Sequence, residues 1–404
     1  MRAIPGMMFL LGIYCAGGYG GSVSAILINT PGTPHAAATM LDGYPLSKMG
    51  RTKAALKIAL YASTFGGIFS ALVLLFLGPQ VAKISAQLGT AEYFMVCLFG
   101  MTIIAGVSGK SLVKGIIAAC LGLLISCVGA DPMTSYDRFT FGIPRLYLGL
   151  DLAVTLIGLF ALVEIIGKAE LKRNELNLHA GKIGNDDGKI TKDEYKRMFR
   201  PVLMGSIIGS CVGIVPGTGA SEASWFSYNT AKNLSKHPEE FGHGSVEGVA
   251  AAESANNAVC GATLIPLLTL GIPGESVTAV LMGGLIIQGL QPGPELFTRY
   301  APMTYTFFAG FVLVQFFMLG IGLLGCRGFA QISRLSDAIL IPSVAVLCVV
   351  GSFAIHKNFF DVVIMMIFGV LGYLVRKFDL NPAAIVLALI LGPIGENGLR
   401  RSLR

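Results

Sequence analysis

The amino-acid sequence predicts an all-α, polytopic bundle of transmembrane helices, and three observations support that prediction. Of the 404 residues, 53% are hydrophobic and only 13% are charged, which is about half the charged share of a soluble domain. Apolar runs long enough to cross a hydrocarbon core of about 30 Å recur along the chain. Glycine is abundant, with 52 residues, as is usual where membrane helices pack closely. The composition therefore excludes an ordinary water-soluble protein.

The apolar runs predict about 10–12 membrane-embedded segments. Runs of nearly full spanning length cover residues 58–77, 146–166 and 303–324. Several others are too short to cross the bilayer straight, which predicts broken or re-entrant helices. The shorter or glycine-interrupted runs are 7–28, 93–107, 112–128, 202–215, 259–272, 277–290, 338–353, 362–375 and 383–394.

A basic segment divides the chain. Residues 168–200 contain nine lysines and arginines, and the positive-inside rule predicts that they form a cytoplasmic loop. On this interpretation residues 1–167 are a first membrane repeat, and residues 201–404 are a second repeat with the C-terminal helices. The net charge of +7 then reports membrane orientation, so we do not expect nucleic acid as a partner.

The first apolar run follows Arg2 and could be a signal peptide. No small-residue cleavage site follows it, and the apolar character continues to Ile28. A first membrane segment is therefore the better interpretation.

Patterns for other chemistry are incomplete. Residues 183–194 follow the spacing of an EF-hand loop, but Ile183 stands where the first aspartate ligand belongs, which disfavours calcium binding. The eight cysteines lie in apolar segments without a CxxC pair, as expected for buried, inert thiols. No HExxH or GxSxG motif occurs, and the phosphate-loop-like residues 109–111 lack the required first glycine at Ile104. We therefore predict that the chain is not an enzyme.

Two segments, residues 20–45 and 261–294, resemble each other. In each, an apolar run reaches a Pro-Gly step, followed by a polar residue and later by a second Gly/Pro cluster. An earlier element of the second half, residues 213–228, would have its counterpart before the start of the chain. The repeat therefore predicts that the first repeat is incomplete at its N-terminus.

Proline and glycine at these steps interrupt helical hydrogen bonding. Peptide groups freed within a bilayer cost several kcal/mol each unless they are satisfied, so such backbone packs inside protein or lines a watery cavity. Paired interruptions in two halves point to a transporter binding site; the alternative is a pair of kinked packing helices. We predict binding residues at Ser24, Asn29, Thr30, Pro31, Gly32, Thr33, Pro216, Gly217, Thr218, Gly219, Glu253, Asn256, Asn257, Pro273, Gly274 and Ser276.

The predicted site contains no fixed positive charge. No lysine or arginine lies in residues 4–36 or 246–293. An anion would depend on helix N-termini, each with about +0.5 charge, and on hydroxyl and amide donors. A coupling cation could use freed carbonyls, the asparagine side chains or Glu253. Acidic residues at membrane depth are candidates for function. In this sequence they are Asp151, Glu164, Glu222, Glu253, Glu275 and Asp361. Asp151, Glu164 and Asp361 lie near segment ends, so an interfacial position is favoured for these three.

Several strings together resemble the large membrane subunit of the tripartite tricarboxylate transporters, the TctA family. They include NTPGTP (29–34), PGTGASEASWFSY (216–228), ESANNA (253–258) and LGIPG (270–274). The resemblance spans nearly the whole chain and places family residues at the predicted site, together with Pro34. Members of the family usually begin earlier and continue past residue 404.

The resemblance implies a multi-pass secondary transporter in the bacterial inner membrane. Its substrates would be citrate-like tri- or dicarboxylates, driven by a sodium or proton gradient without a cofactor. The implied partners are the lipid bilayer, a small four-helix membrane subunit and a periplasmic solute-binding protein. The alternatives are a passive anion channel and another organic-anion carrier subunit. The channel is disfavoured because the sequence shows no charged ring and no repeated filter sequence.

Overall fold

The structure is built from α-helices, which confirms the all-α polytopic class. Within the described part of the chain, strand structure is one short antiparallel pair, Gly129–Ala130 with Asp137–Arg138. The computed structural model describes residues 3–107, 111–131, 133–170, 188–216, 218–332 and 337–403.

The chain divides into two units. Unit 1 contains Met1–Ser85 and Asn177–Leu335, and unit 2 contains Ala86–Leu176 and Ser336–Arg404. Each half of the sequence therefore contributes its first part to unit 1 and its second part to unit 2. The division into a first repeat (1–167), a loop (168–200) and a second repeat (201–404) stays a prediction.

The helices of unit 1 are α1 (Ala3–Ile28), α2 (Ala36–Lys48), α3 (Thr52–Ser85), α8 (Lys192–Ile214), α9 (Ala220–Leu234), α10 (Val246–Ala262), α11 (Leu264–Leu270), α12 (Ser276–Ile287), α13 (Glu295–Thr298) and α14 (Ala301–Ile332), with a 3-10 turn at Pro238–Glu240. Those of unit 2 are α4 (Thr90–Val107), α5 (Leu112–Ser126), α6 (Leu152–Leu156), α7 (Val163–Glu170), α15 (Asp337–His356), α16 (Phe359–Lys377) and α17 (Pro382–Ser402). A π-helical turn, Ile157–Leu162, joins α6 to α7.

Helices long and apolar enough to cross a membrane occur in both units. Among the described residues they are Ile4–Ile28, Thr52–Ser85, Ala301–Gly325, Phe359–Lys377 and Pro382–Ser402. Shorter apolar helices are Leu112–Ser126, Leu152–Gly167, Ser276–Ile287 and Ile341–His356. These lengths support a protein that is embedded in a membrane.

Helix α10 forms the core of unit 1, because every residue from Val246 to Ala262 is buried. It packs against α3, α8 and α9. Small residues allow these close approaches: a Cβ at Gly66 of α3 would overlap the Ser254 carbonyl, and one at Gly209 of α8 would overlap the Ala255 carbonyl. Close contact through glycine is typical of membrane helix packing.

Unit 2 packs α17 against α4 and α5. Beyond α5, Asp131 accepts a hydrogen bond from Arg400 at 2.7 Å and also caps the backbone N–H groups of Met133 and Thr134. The Arg400 guanidinium and these N–H groups hold the pKa of Asp131 below its usual range. Arg138 pairs with Glu396 at 2.9 Å. The Asp131–Arg400 and Arg138–Glu396 ion pairs thus connect the strand pair to the C-terminal part of α17.

One segment prediction needs correction. The run predicted at residues 146–166 is not one helix from its start: a 3-10 turn covers Pro144–Leu148, and α6 begins at Leu152 with the Asp151 carboxylate capping the Val154 N–H at 3.0 Å. Gly149, with a left-handed φ of +81°, interrupts the helical backbone and explains why α6 begins only at Leu152. The run at residues 259–272, predicted as one of the short or glycine-interrupted segments, is divided between the end of α10 and α11, which agrees with that prediction.

The end of the predicted basic loop is helical. Helix α8 begins at Lys192, and Thr191 and Glu194 form a reciprocal capping box at its N-terminus. The Glu194 carboxylate also accepts two hydrogen bonds from the Arg51 guanidinium, at 2.6 and 3.0 Å. Of the EF-hand-like residues 183–194, the first five lie outside the described residues. Glu194, at the last position of that pattern, thus serves as a helix cap and an ion-pair partner.

Candidate substrate and ion site

One face of α1 brings the polar groups of unit 1 together. Tyr14, Gly18 and Ser22 are spaced four residues apart, so they lie on the same side of the helix. Ser22 contacts Glu253 of α10, Gly18 lies against the two asparagines of α10, and Tyr14 contacts Glu275. At 1.5 Å per residue, these three contacts span about 12 Å along α1.

Glu253 is fully buried, with 0% exposure, and three hydroxyl groups donate hydrogen bonds to its carboxylate. Ser22 of α1 and Thr39 of α2 donate to Oε1, and Ser63 of α3 donates to Oε2 at 2.7 Å. We call this set of four residues the Glu253 site. Three separate helices thus converge on one carboxylate of a fourth helix.

Asn256 and Asn257 follow on α10, with 1% and 0% exposure. The Nδ2 atoms of both residues, and Oδ1 of Asn257, have no hydrogen-bond partner among the described residues. A Cβ at Gly18 would lie 3.5 Å from Oδ1 of Asn256 and 3.7 Å from Nδ2 of Asn257. Buried amides without a partner cost about 1–3 kcal/mol each, which makes this position a candidate for ligand binding.

The first predicted interruption is confirmed. Helix α1 ends at Ile28, and Asn29 adopts a left-handed conformation with φ +55°. The chain then folds back on α1, where the Gly32 N–H donates to the Gly21 carbonyl at 3.1 Å. A Cβ at Gly21 would overlap the Thr33 side chain, and the buried Oγ1 of Thr33 has no partner in the described residues.

The neighbouring polar residues of this interruption bond to their own backbone. The Ser24 hydroxyl donates to the Gly21 carbonyl at 2.9 Å, and the exposed Thr30 hydroxyl donates to the Ile28 carbonyl at 3.3 Å. Neither of these bonds reaches α10. Pro31, between the two helices, supplies no backbone N–H for helical bonding.

The two interruptions of the second half meet each other. Helix α11 ends at Leu270 and is capped by Gly271, and buried Pro273 and Gly274 precede α12. Glu275, the residue before α12, accepts a hydrogen bond at 3.1 Å from the Ala220 N–H in the first turn of α9. It accepts another from the Tyr14 hydroxyl of α1. Glu275 therefore links α1, α9 and α12.

The remaining predicted residues surround this junction. The Gly219 N–H donates to Glu222 Oε2 at 3.0 Å, and the Thr218 hydroxyl donates to the Val215 carbonyl at 2.7 Å, where it closes the end of α8. Ser276 is the first residue of α12 and is partly exposed. Pro216 follows the end of α8, whereas Gly217 lies outside the described residues.

The structure thus adds residues that the sequence analysis did not select. Tyr14, Thr39 and Ser63 contact the acidic residues directly. Gln315, in the middle of α14, is fully buried against Gly67, and neither of its amide atoms has a partner within the described ranges. Only Tyr14 had a sequence signal, since it lies on one helical face with Gly18 and Ser22.

Fold and site define a helical membrane protein of the transporter class, with buried polar groups where two interrupted helices approach one inner helix. The family model described as the tripartite tricarboxylate transporter TctA family matches residues 1–387. The chain belongs to this family of transporter subunits, which confirms the resemblance found in the sequence.

Two relatives from Agrobacterium vitis are similar to this chain. An uncharacterized 52.8 kDa protein in the TAR-I ttuC′ 3′ region is 36% identical over 400 residues, or 99% of this chain and 79% of the relative. An uncharacterized protein in the TAR-II ttuC′ 3′ region is 39% identical over 195 residues, or 48% of this chain and 81% of the relative. No solved structure matches the chain significantly.

Proposed function

We propose that this chain is the large membrane subunit through which tri- or dicarboxylates enter the cell, driven by a cation gradient across the bacterial inner membrane. A small four-helix membrane subunit and a periplasmic solute-binding protein would complete the transporter. Family membership supports a component of a tripartite tricarboxylate transporter. The substrate class, the coupling and the particular partners are our proposals.

The buried amides of α10 are the observation that most supports a substrate site. Glu253, Asn256 and Asn257, which we call the α10 polar cluster, lie within about one helical turn of one another on a fully buried helix. The asparagine donors without partners suit a carboxylate, because amide N–H groups are donors that a carboxylate accepts. Their neutrality favours release, since a desolvated arginine–carboxylate pair would bind more strongly.

The proposed movement uses the interrupted segments. Hinges are usually a few residues at the ends of elements, and in many transporters discontinuous helices surround the site. The junction of Glu275 with the first turn of α9 and with Tyr14 would separate and re-form as access alternates between the two sides.

Asn257→Leu tests the site. Because neither amide atom of Asn257 bonds to a described residue, the substitution removes no side-chain hydrogen bond within the described part of the chain, and it keeps a similar volume. We expect unchanged or higher thermal stability in detergent but at least a tenfold loss of carboxylate uptake, which corresponds to about 1.4 kcal/mol. Uptake would be measured in cells that also produce both proposed partners.

Ser206→Ala provides the matched control. Ser206 is buried on α8, and its hydroxyl donates to the Val202 carbonyl of its own helix at 2.8 Å. This variant should insert and transport normally. Normal uptake by Asn257→Leu, at equal amounts in the membrane, would refute the substrate site.

A further inference from the structure

We propose that the Glu253 site binds a dehydrated sodium ion, ligated by the Glu253 carboxylate and by the hydroxyl oxygens of Ser22, Thr39 and Ser63. The contribution of this ion to uptake rests on the proposed function. The binding itself does not, because it needs no carboxylate substrate.

Charge is the first argument. A buried carboxylate is normally paired with a cation or coordinates a metal, since removing a charge from water is costly. Three hydroxyls are the partners of Glu253, and no described lysine, arginine or histidine pairs with it. An ionised Glu253 would carry one negative charge, which matches one monovalent cation. Calcium would require six to eight oxygen ligands, usually with several carboxylates.

Geometry is the second argument. The three hydroxyl groups come from α1, α2 and α3, and all of them lie within hydrogen-bonding distance of the same carboxylate. A hydroxyl can rotate its proton away and offer a lone pair. The Glu253 site can therefore change from hydrogen-bond donors to a set of four or five oxygen ligands without moving a helix. A proton needs only one carboxylate oxygen, so it does not explain the convergence of three hydroxyls.

Position is the third argument. Asn256 and Asn257 follow Glu253 by three and four residues, which places a bound cation about one helical turn from the proposed carboxylate position. Opposite charges at that separation in a buried site attract, so each ligand would raise the affinity for the other by the same factor. The same arrangement would compensate the charge of the substrate in the absence of a basic side chain.

The test measures sodium binding alone. The purified chain in detergent is heated in sodium, potassium or choline chloride at constant ionic strength and without any carboxylate substrate. Because a ligand that binds the folded state stabilises it, we expect a saturable rise in the unfolding temperature with sodium only. Glu253→Gln should abolish this rise. In choline it should be at least as stable as the wild type, because it removes an uncompensated buried charge.

A second variant keeps the test independent of how Glu253→Gln folds. Ser63→Ala removes one ligand and should raise the half-saturating sodium concentration by about tenfold, whereas Ser206→Ala should leave it unchanged. A full sodium response in Glu253→Gln, or equal responses to all three cations, would overturn the proposal. Stabilisation by acid instead of sodium, lost in Glu253→Gln, would assign the site to a proton and also overturn it.

The two proposals can fail separately. If the wild type transports the carboxylate but sodium does not raise its unfolding temperature, the ion site alone is contradicted. Intact sodium stabilisation in Asn257→Leu, combined with normal uptake by that variant, contradicts the substrate site alone.

Discussion

Gly18→Ala should separate stability from transport. A Cβ at Gly18 would meet the amide atoms of Asn256 and Asn257 at 3.5–3.7 Å, which is ordinary van der Waals contact. The added methyl group therefore fits without strain. Replacing glycine by alanine inside a helix also stabilises it by about 0.5–1 kcal/mol, so the variant should unfold at the same or a slightly higher temperature.

The same methyl group would occupy the space in front of both amides. A hydrogen bond from these amides to a charged carboxylate contributes about 1.5–3 kcal/mol. Blocking one such bond should raise the KM for carboxylate uptake by about 10- to 100-fold. The maximal rate at saturating substrate should change less, because the helices that move are unaltered.

Gly17→Ala is the matched control for this prediction. It lies on the same helix, has the same gain in helix propensity, and a Cβ there would have no atom within 4 Å. Uptake kinetics and thermal unfolding in detergent would be compared for the wild type and both variants. A normal KM for Gly18→Ala, or equal losses in the two variants, would refute the assignment of this space to substrate.

Two further predictions concern packing and pH. Gly66→Ala should lower the free energy of unfolding by about 1–3 kcal/mol, because its Cβ would overlap the Ser254 carbonyl; an unchanged unfolding temperature would contradict the close approach of α3 and α10. Burial raises the pKa of Glu194, but hydrogen bonds from Arg51 and Thr191 outweigh burial and hold it below its usual value. Its stabilising contribution is therefore present above the unfolded-state pKa of about 4.3 and is lost as pH falls through the lower folded-state pKa. Glu194→Gln should be about 1 kcal/mol less stable than the wild type at pH 7. In thermal unfolding this difference should shrink as pH falls below about 4.3 and vanish once pH is below the folded-state pKa; a difference that stays constant as pH falls would contradict this prediction.

The interruptions were predictable because their causes are local. Pro31 and Pro273 each stand beside a glycine, and proline cannot continue helical hydrogen bonding. The structure accordingly ends α1 at Ile28 and α11 at Leu270. The capping box at Thr191 and Glu194 has an equally local signature, although the basic composition favoured a loop there.

The central helix was not predictable from its own sequence. Helix α10 carries Glu253, Asn256 and Asn257 among alanines and glycines, so it shows neither a long apolar run nor a polar face. Its burial on all sides results from α3, α8 and α9 around it. The hydroxyl partners were hidden for a similar reason, since Thr39 and Ser63 lie 214 and 190 residues from Glu253 in sequence.

Simultaneous uptake of labelled sodium and a labelled tricarboxylate tests the central claim most directly. The complete transporter would be reconstituted in lipid vesicles with the substrate-loaded binding protein outside. We predict that each label accumulates only when the other ligand is present, and that Glu253→Gln loses the accumulation of both. Two results would contradict a shared site on α10. One is carboxylate entry at the same rate without sodium, and the other is sodium uptake that does not depend on the carboxylate.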